Sequence, residues 1–153
     1  MTEVRWKPNV TVAAVIERDG RFLLVKEQTA HGIRFNQPAG HLDEGESLPA
    51  ACQRETREET AWQFQPQALL GVYLMPVPEA ELTYLRFAFC GELLSHDPLQ
   101  ALDEGIIEAV WMTWDEIQAC ADQHRSPLVL RCVEDYLSGR RYPLSVLTTL
   151  LPS

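Results

Sequence analysis

At 153 residues and 17.4 kDa the chain has the length of one domain, and positions 1–153 are read as a single domain. Hydrophobic residues at 46% against 23% charged supply a core and exclude disordered and fibrous classes. The 13 Lys+Arg against 22 Asp+Glu give a formal charge of −9, a field that repels long nucleic acid and anionic membranes. No run approaches the ~20 apolar residues needed to span a bilayer. The N-terminal Met1-Thr-Glu-Val-Arg-Trp-Lys-Pro8 has no apolar h-region, so no secretory signal is expected. Cys52, Cys90, Cys120 and Cys132 form no C-x-x-C pair and sit among apolar neighbours, which predicts a reducing, cytoplasmic setting.

Val10–Ile16 and Phe22–Val25 are β-rich runs either side of Arg18-Asp19-Gly20-Arg21, and Asp-Gly predicts a tight hairpin that pairs the two runs antiparallel. Gln28–Arg34 reads as a polar loop. Phe35-Asn-Gln-Pro-Ala-Gly40 reads as a short strand entering a second loop, because Pro38 excludes a helix interior. A helix follows from Ser47, a good N-cap with Pro49 in the first turn, to Thr60. Strands are predicted at Ala68–Met75, Leu82–Leu94 and Ile106–Met112, with a turn at Pro76–Glu79. Thr113-Trp-Asp-Glu116 has the form of a capping box and opens a helix to about Asp122. Ser126-Pro127 opens another, which should stop at Gly139. This order describes a mixed sheet covered by helices, an α/β fold. The apolar stretch Leu144–Leu151 covers the core or a partner, and a monomer is the preferred expectation.

In the helix from Ser47, Glu55, Glu58 and Glu59 are spaced i, i+3, i+4 and project from one face. Three carboxylates near a helix C-terminus repel one another and oppose the macrodipole, and a cation relieves both effects. Oxygen-only ligands suit Mg²⁺, or Mn²⁺, and Mg²⁺ characteristically shares its shell with substrate phosphates. An isolated acidic helix would instead be read as a solvated face, with Arg54 and Glu58 as an ordinary i,i+4 pair.

The surrounding residues decide between the two. Gly40-His-Leu-Asp-Glu-Gly-Glu46, seven residues, then Arg54-Glu-Thr-Arg-Glu-Glu-Thr-Ala-Trp62 resembles the Nudix box, G-x5-E-x7-R-E-U-x-E-E-x-G-U, where U is a bulky aliphatic residue. Gly40, Glu46, Arg54, Glu55, Glu58 and Glu59 match at correct spacing, a coincidence expected by chance on the order of 10⁻⁵ to 10⁻⁴ of the time in a chain of this length. The departures are Thr56 and Trp62 at aliphatic positions and Ala61 in place of the helix-ending glycine. An alanine forced into the left-handed region costs roughly 1 kcal/mol, so the helix is expected to end differently here. Val10-Thr-Val, Gln37-Pro-Ala-Gly-His41-Leu, Leu85-Arg-Phe87, Arg125-Ser-Pro-Leu128 and Ser138-Gly-Arg-Arg-Tyr-Pro-Leu144 extend the resemblance to the NudJ branch of the family.

The resemblance implies a Nudix-type α/β/α sandwich that hydrolyses phosphoanhydride bonds of nucleoside tri- and diphosphates and of small organic diphosphates such as hydroxymethylpyrimidine diphosphate. It implies Mg²⁺ held by Glu55, Glu58, Glu59 and the carbonyl of Gly40. Arg54 joins the catalytic set by pairing with Glu46 or orienting Glu55. The general base is one of the same glutamates or a later acid, with Asp103, Glu104 and Glu108 as candidates. His41, on the loop bordering the phosphates, and Arg86, within the apolar Leu85–Phe89 strand, are candidate substrate-binding residues. Each has a plainer alternative, an exposed loop histidine and an outward arginine. Tyr84, Trp6 and Tyr142 are weaker candidates for stacking on a base, since strand aromatics more often pack in cores. Two other readings compete: a Nudix hydrolase of ADP-ribose or dinucleoside polyphosphates, and a nucleotide sensor without turnover. All three glutamates are present, which favours an enzyme.

Overall fold

The structure, a computed structural model, describes residues 3–152. Twelve regular elements follow in chain order: β1 (Asn9–Val15), β2 (Glu17–Arg18), β3 (Arg21–Thr29), β4 (Gly32–Asn36), β5 (Ala39–His41), α1 (Leu48–Thr60), β6 (Trp62–Val77), β7 (Leu82–His96), β8 (Ile106–Thr113), α2 (Trp114–Ala119), α3 (Leu128–Leu137) and β9 (Tyr142–Pro143). The first sheet runs β5-β1-β7-β6-β9, with β1 and β7 parallel and the other pairs antiparallel. The second is built on β3, which pairs antiparallel with β2, β4 and β8.

Of the expected pairing of Val10–Ile16 with Phe22–Val25, only the bond from the Leu23 amide to the Ile16 carbonyl (2.9 Å) forms. Asp19 and Gly20, both at positive φ, make the turn, but it joins only β2 to β3. The chain changes sheets after Val15, so β1 gains β5 and β7 as partners. Val12, Val15 and Ile16 are all buried, so the run carries no one-face alternation that would distinguish a hairpin arm from the central strand of a mixed sheet. Gln28–Arg34 is likewise no loop. Polar residues carry β3 to Thr29 and return as β4, because both strands lie half-exposed at the sheet end. Strand β6 begins at Trp62 rather than Ala68, accommodating Pro66 between register shifts.

Helix α1 matches its expected bounds. The Ser47 hydroxyl accepts from the Ala50 amide at 3.2 Å, and Pro49 lies in the first turn. Its end corrects the sequence reading: Ala61 does adopt the left-handed conformation (φ 63°), and its N–H donates to the Arg57 carbonyl at 2.8 Å, as glycine would. Thr56 is fully buried at its aliphatic position and satisfies its hydroxyl on the Cys52 carbonyl at 2.8 Å. Trp62 stacks near His96 and under the guanidinium of Arg18, 4.9 Å from the ring centroid. The capping box at Thr113 and Glu116 forms as predicted. Helix α2 ends at Ala119, with a 3₁₀ turn from Ala121–Gln123, and Gly139 follows α3 at positive φ.

Two cores separate the layers. Val12, Ala14, Leu69 and Phe89 pack beneath α1 through Ala51 and Cys52. Val15, Leu24, Leu70 and Ala88 pack beneath α2 and α3 through Ile117, Leu128 and Val133. The result is the expected α/β/α sandwich with a mixed sheet.

Candidate active site

Strand β5 sets Gly40 opposite Val12, beside the C-terminal half of α1. The Glu55 carboxylate lies directly against Gly40, in the volume a Cβ there would occupy, so the glycine is required by close approach and not by its dihedrals. One carboxylate oxygen each from Glu55, Glu58 and Asp103 lie within 4.8 Å of one another. Asp103 comes from the loop between β7 and β8, which closes over the end of α1. The Asp97 amide donates to the Ala61 carbonyl (3.0 Å), the Gln100 side chain to the Arg57 carbonyl (2.6 Å) and the Asp103 amide to the Glu58 carbonyl (3.0 Å). These bonds use helix-end carbonyls that would otherwise lack partners.

Glu59 turns the other way along the same face. Its Oε1 accepts from the Ala39 amide at 2.8 Å, and burial pushes its carboxyl up to about 8, aided by the nearby charges of Glu55, Glu27 and Asp103. Burial also raises Glu55, against the lowering pull of Arg54.

Arg54 is the hub of this arrangement. Its Nε and Nη2 donate to both oxygens of Glu46 (3.0 and 2.7 Å), and its Nη1 donates to Glu55 (2.8 Å) and Glu58 (3.3 Å). Nη2 also reaches the carbonyl of His41 at 3.0 Å. The bidentate bond from Arg54 holds the Glu46 carboxyl below its ordinary range. Both alternatives read from the sequence, pairing with Glu46 and orienting Glu55, are therefore realised in one side chain.

A cleft of ≈ 690 Å³ opens beside the acids, with Gly40, Glu59, Glu27, Arg86 and Arg125 among its lining residues. His41 borders it with an exposed side chain. Arg86 points into the fold and is 5% exposed, its Nη1 donating to Gln37 Oε1 (2.9 Å) and its Nη2 to Asn36 Oδ1 (3.1 Å). Tyr84 lines the same cleft, whereas Trp6 and Tyr142 are exposed elsewhere. Glu104 is exposed, and Glu108 lies on β8 opposite Lys26, outside the carboxylate group. Sequence reasoning weighed Asp103 only as a base, since nothing in its spacing links it to a helix more than forty positions earlier. It passed over Glu27, which lies between the Phe22–Val25 strand and the Gln28–Arg34 loop of that reading, and gave no role to Arg125.

A family model described as the NUDIX domain matches residues 6–132. The chain belongs to the Nudix family. It is 40% identical over 142 residues to the phosphatase NudJ of Escherichia coli strain K12, covering 93% of this chain and 92% of that one. A Nudix hydrolase structure from Nitrosomonas europaea superposes with a TM-score of 0.94 at 51% identity, over 96% of this chain and 100% of the other. A MutT Nudix hydrolase from Burkholderia pseudomallei shares the fold at 21% identity (TM-score 0.73; 85% and 98% covered). With a Nudix hydrolase matched over its whole length and a Nudix phosphatase over nearly all of its own, this chain is a Nudix hydrolase.

Proposed function

We propose that the protein is a Mg²⁺-dependent phosphatase of the NudJ type, hydrolysing phosphoanhydride bonds of nucleoside tri- and diphosphates and of small organic diphosphates such as hydroxymethylpyrimidine diphosphate. The observation that carries this reading is the close group of Glu55, Glu58 and Asp103 oxygens, with Glu55 packed against Gly40, which lines the cleft. Likeness to the NudJ phosphatase over nearly its whole length supports the substrate class.

The donor set fits a hard divalent cation: oxygens only, three of them close together, with the Gly40 backbone alongside. Mn²⁺ fits the same ligands. Glu55, Glu58 and the Gly40 carbonyl would hold the ion with Asp103 joining them from its loop, and Glu59, outside the close group, would reach it only through the oxygen that the Ala39 amide leaves free. When bound, the ion supplies charge neutralisation on the phosphates and a more acidic attacking water. The residues of the chain do the rest. Arg54 fixes the Glu55 and Glu58 carboxylates, His41 contacts substrate from the loop, and Arg86, held by Asn36 and Gln37, supplies positive charge from within the cleft wall. In the reaction the water oxygen bonds to phosphorus, the anhydride P–O bond breaks, and the released proton passes to a carboxylate of this group.

A small anionic substrate suits a cleft lined by Arg86 and Arg125, and the −9 charge argues against long nucleic acid or an anionic membrane as partner. Four free thiols, three of them buried, support a reducing, cytoplasmic setting.

The test is product analysis, with and without Mg²⁺: orthophosphate and pyrophosphate release from nucleoside tri- and diphosphates and hydroxymethylpyrimidine diphosphate, and chromatographic detection of the nucleotide products from ADP-ribose and dinucleoside polyphosphates. Metal-dependent orthophosphate release from the first three classes is expected, and Glu55→Gln should reduce it at least ~100-fold. Preferential cleavage of ADP-ribose or dinucleoside polyphosphates would replace the substrate assignment. An undiminished Glu55→Gln enzyme would overturn the site.

A further inference from the structure

The Arg125-Ser-Pro-Leu128 segment forms the turn into α3 and lines the cleft. The Ser126 hydroxyl accepts from the Leu128 amide (3.1 Å) at the entry to α3, where Pro127 is the N-cap. The Arg125 amide donates to the Phe35 carbonyl at 2.7 Å, so the backbone of this turn is tied to β4 across the cleft wall. From that fixed point the Arg125 Nη1 reaches Glu27 Oε2 at 2.6 Å. Glu27 lies on β3 at the acid end, next to Gln28, whose amide bonds the Gly105 carbonyl of the loop carrying Asp103. The guanidinium thus lines the same cleft as Gly40 and Glu59.

The two arginines of the cleft differ in what they can still do. Arg86 is almost fully buried, with both terminal nitrogens engaged by Asn36 and Gln37. Arg125 is half-exposed, and among the described residues only its Nη1 has a side-chain partner. Its pair with the mostly buried Glu27 is a single short bond, whereas a phosphate offers the same guanidinium two parallel charge-assisted bonds.

We propose that Arg125 is the side chain that reads the substrate's phosphates, and that Glu27 holds it in place and yields it to them. This rests on the phosphoanhydride reading above and adds a specificity-determining residue to it. Arg125 sets the affinity for the phosphate chain, and Glu27 competes with the substrate for it.

The competition gives the two partners opposite signs. With a nucleoside diphosphate that the wild type hydrolyses, Arg125→Gln is expected to raise KM about 10- to 100-fold with little change in kcat. Arg125→Lys should restore part of the loss. Glu27→Gln should lower KM by about two- to fivefold, because the guanidinium no longer has to leave a carboxylate. The calorimetric Kd of α,β-methylene ADP in the presence of Ca²⁺ should move with KM in each variant. Equal increases in KM for Arg125→Gln and Glu27→Gln would make the pair a mere strap between β3 and the α3 turn and overturn the proposal. So would an Arg125→Gln enzyme with unchanged KM and Kd. A wild type that cleaves nothing on the panel, yet binds the analogue through Arg125, would overturn the hydrolytic reading and leave the recognition role standing.

Discussion

Arg54 shows how one side chain can organise a site it does not complete. Its planar fork matches both oxygens of Glu46, and the remaining Nη1 hydrogens hold Glu55 and Glu58 at a spacing that mutual repulsion alone would widen. A lysine retains the charge and loses the fork. Arg54→Lys is therefore expected to reduce kcat/KM by about 10- to 100-fold while leaving the circular dichroism spectrum and urea midpoint near those of the wild type. An enzyme of undiminished activity would show that charge alone suffices at this position. The box residues could be read from the sequence because their spacing lies within one helix and the loop before it, where chain geometry fixes who can meet. Asp103 could not, since its place beside Glu55 depends on a loop folding back onto the carbonyls at the end of α1. Ala61 misled for a related reason: the tertiary contacts of the following loop, through Asp97 on the Ala61 carbonyl, hold a conformation that local preference disfavours.

Helices α1, α2 and α3 were readable because their caps are local signals, whereas the strands were readable as strands but not as partners. Alternation says which residues face inward, and it does not say which strand lies alongside. The short connector between α2 and α3 carries a consequence of its own. His124 lies half-buried, its Nε2–H donating to the Ile117 carbonyl at 2.9 Å, while its own amide bonds the Ala121 carbonyl. Burial lowers its pKa below 6.5, against smaller raising effects from the Ile117 carbonyl and Asp122. With the folded value below the unfolded one, the unfolded chain binds the proton more readily. The contribution of His124 to stability is thus intact above about pH 6.5 and is lost as pH falls through the depressed value. Urea denaturation at pH 7.5 and pH 5.5 should show a smaller loss on acidification in His124→Gln than in the wild type. Identical losses would mean that His124 titrates alike in both states.

The two helical layers are joined to the sheet by different means. Under α1 an apolar contact, Ala51 and Cys52 on Phe89 and Leu69, is joined by bonds to strand backbone, Glu59 accepting from the Ala39 amide at 2.8 Å and Gln53 donating to the Phe64 carbonyl at 3.1 Å. Under α3 an apolar contact is supplemented by a charged one: Asp135, 9% exposed, accepts from the Tyr73 hydroxyl of β6 at 2.7 Å, from Arg131 at 3.1 Å and from Arg140 at 3.0 Å. This one carboxylate links the central sheet, α3 and the segment leading to β9. Because α3 and the turn before it form a wall of the cleft, the link also fixes where Arg125 starts from. Removing the carboxylate leaves the Tyr73 hydroxyl buried without its acceptor and separates two arginines from their counter-charge. Asp135→Ala is therefore expected to cost about 2–4 kcal/mol in urea denaturation. Tyr73→Phe removes only the hydroxyl and leaves Asp135 satisfied by both arginines, so it should cost about 1 kcal/mol. In the double variant the hydroxyl is no longer stranded, and the total should fall short of the sum of the single losses. Strict additivity would mean that Asp135 acts through its arginines alone, and that the sheet and α3 are held together by apolar packing without the aid of this bond.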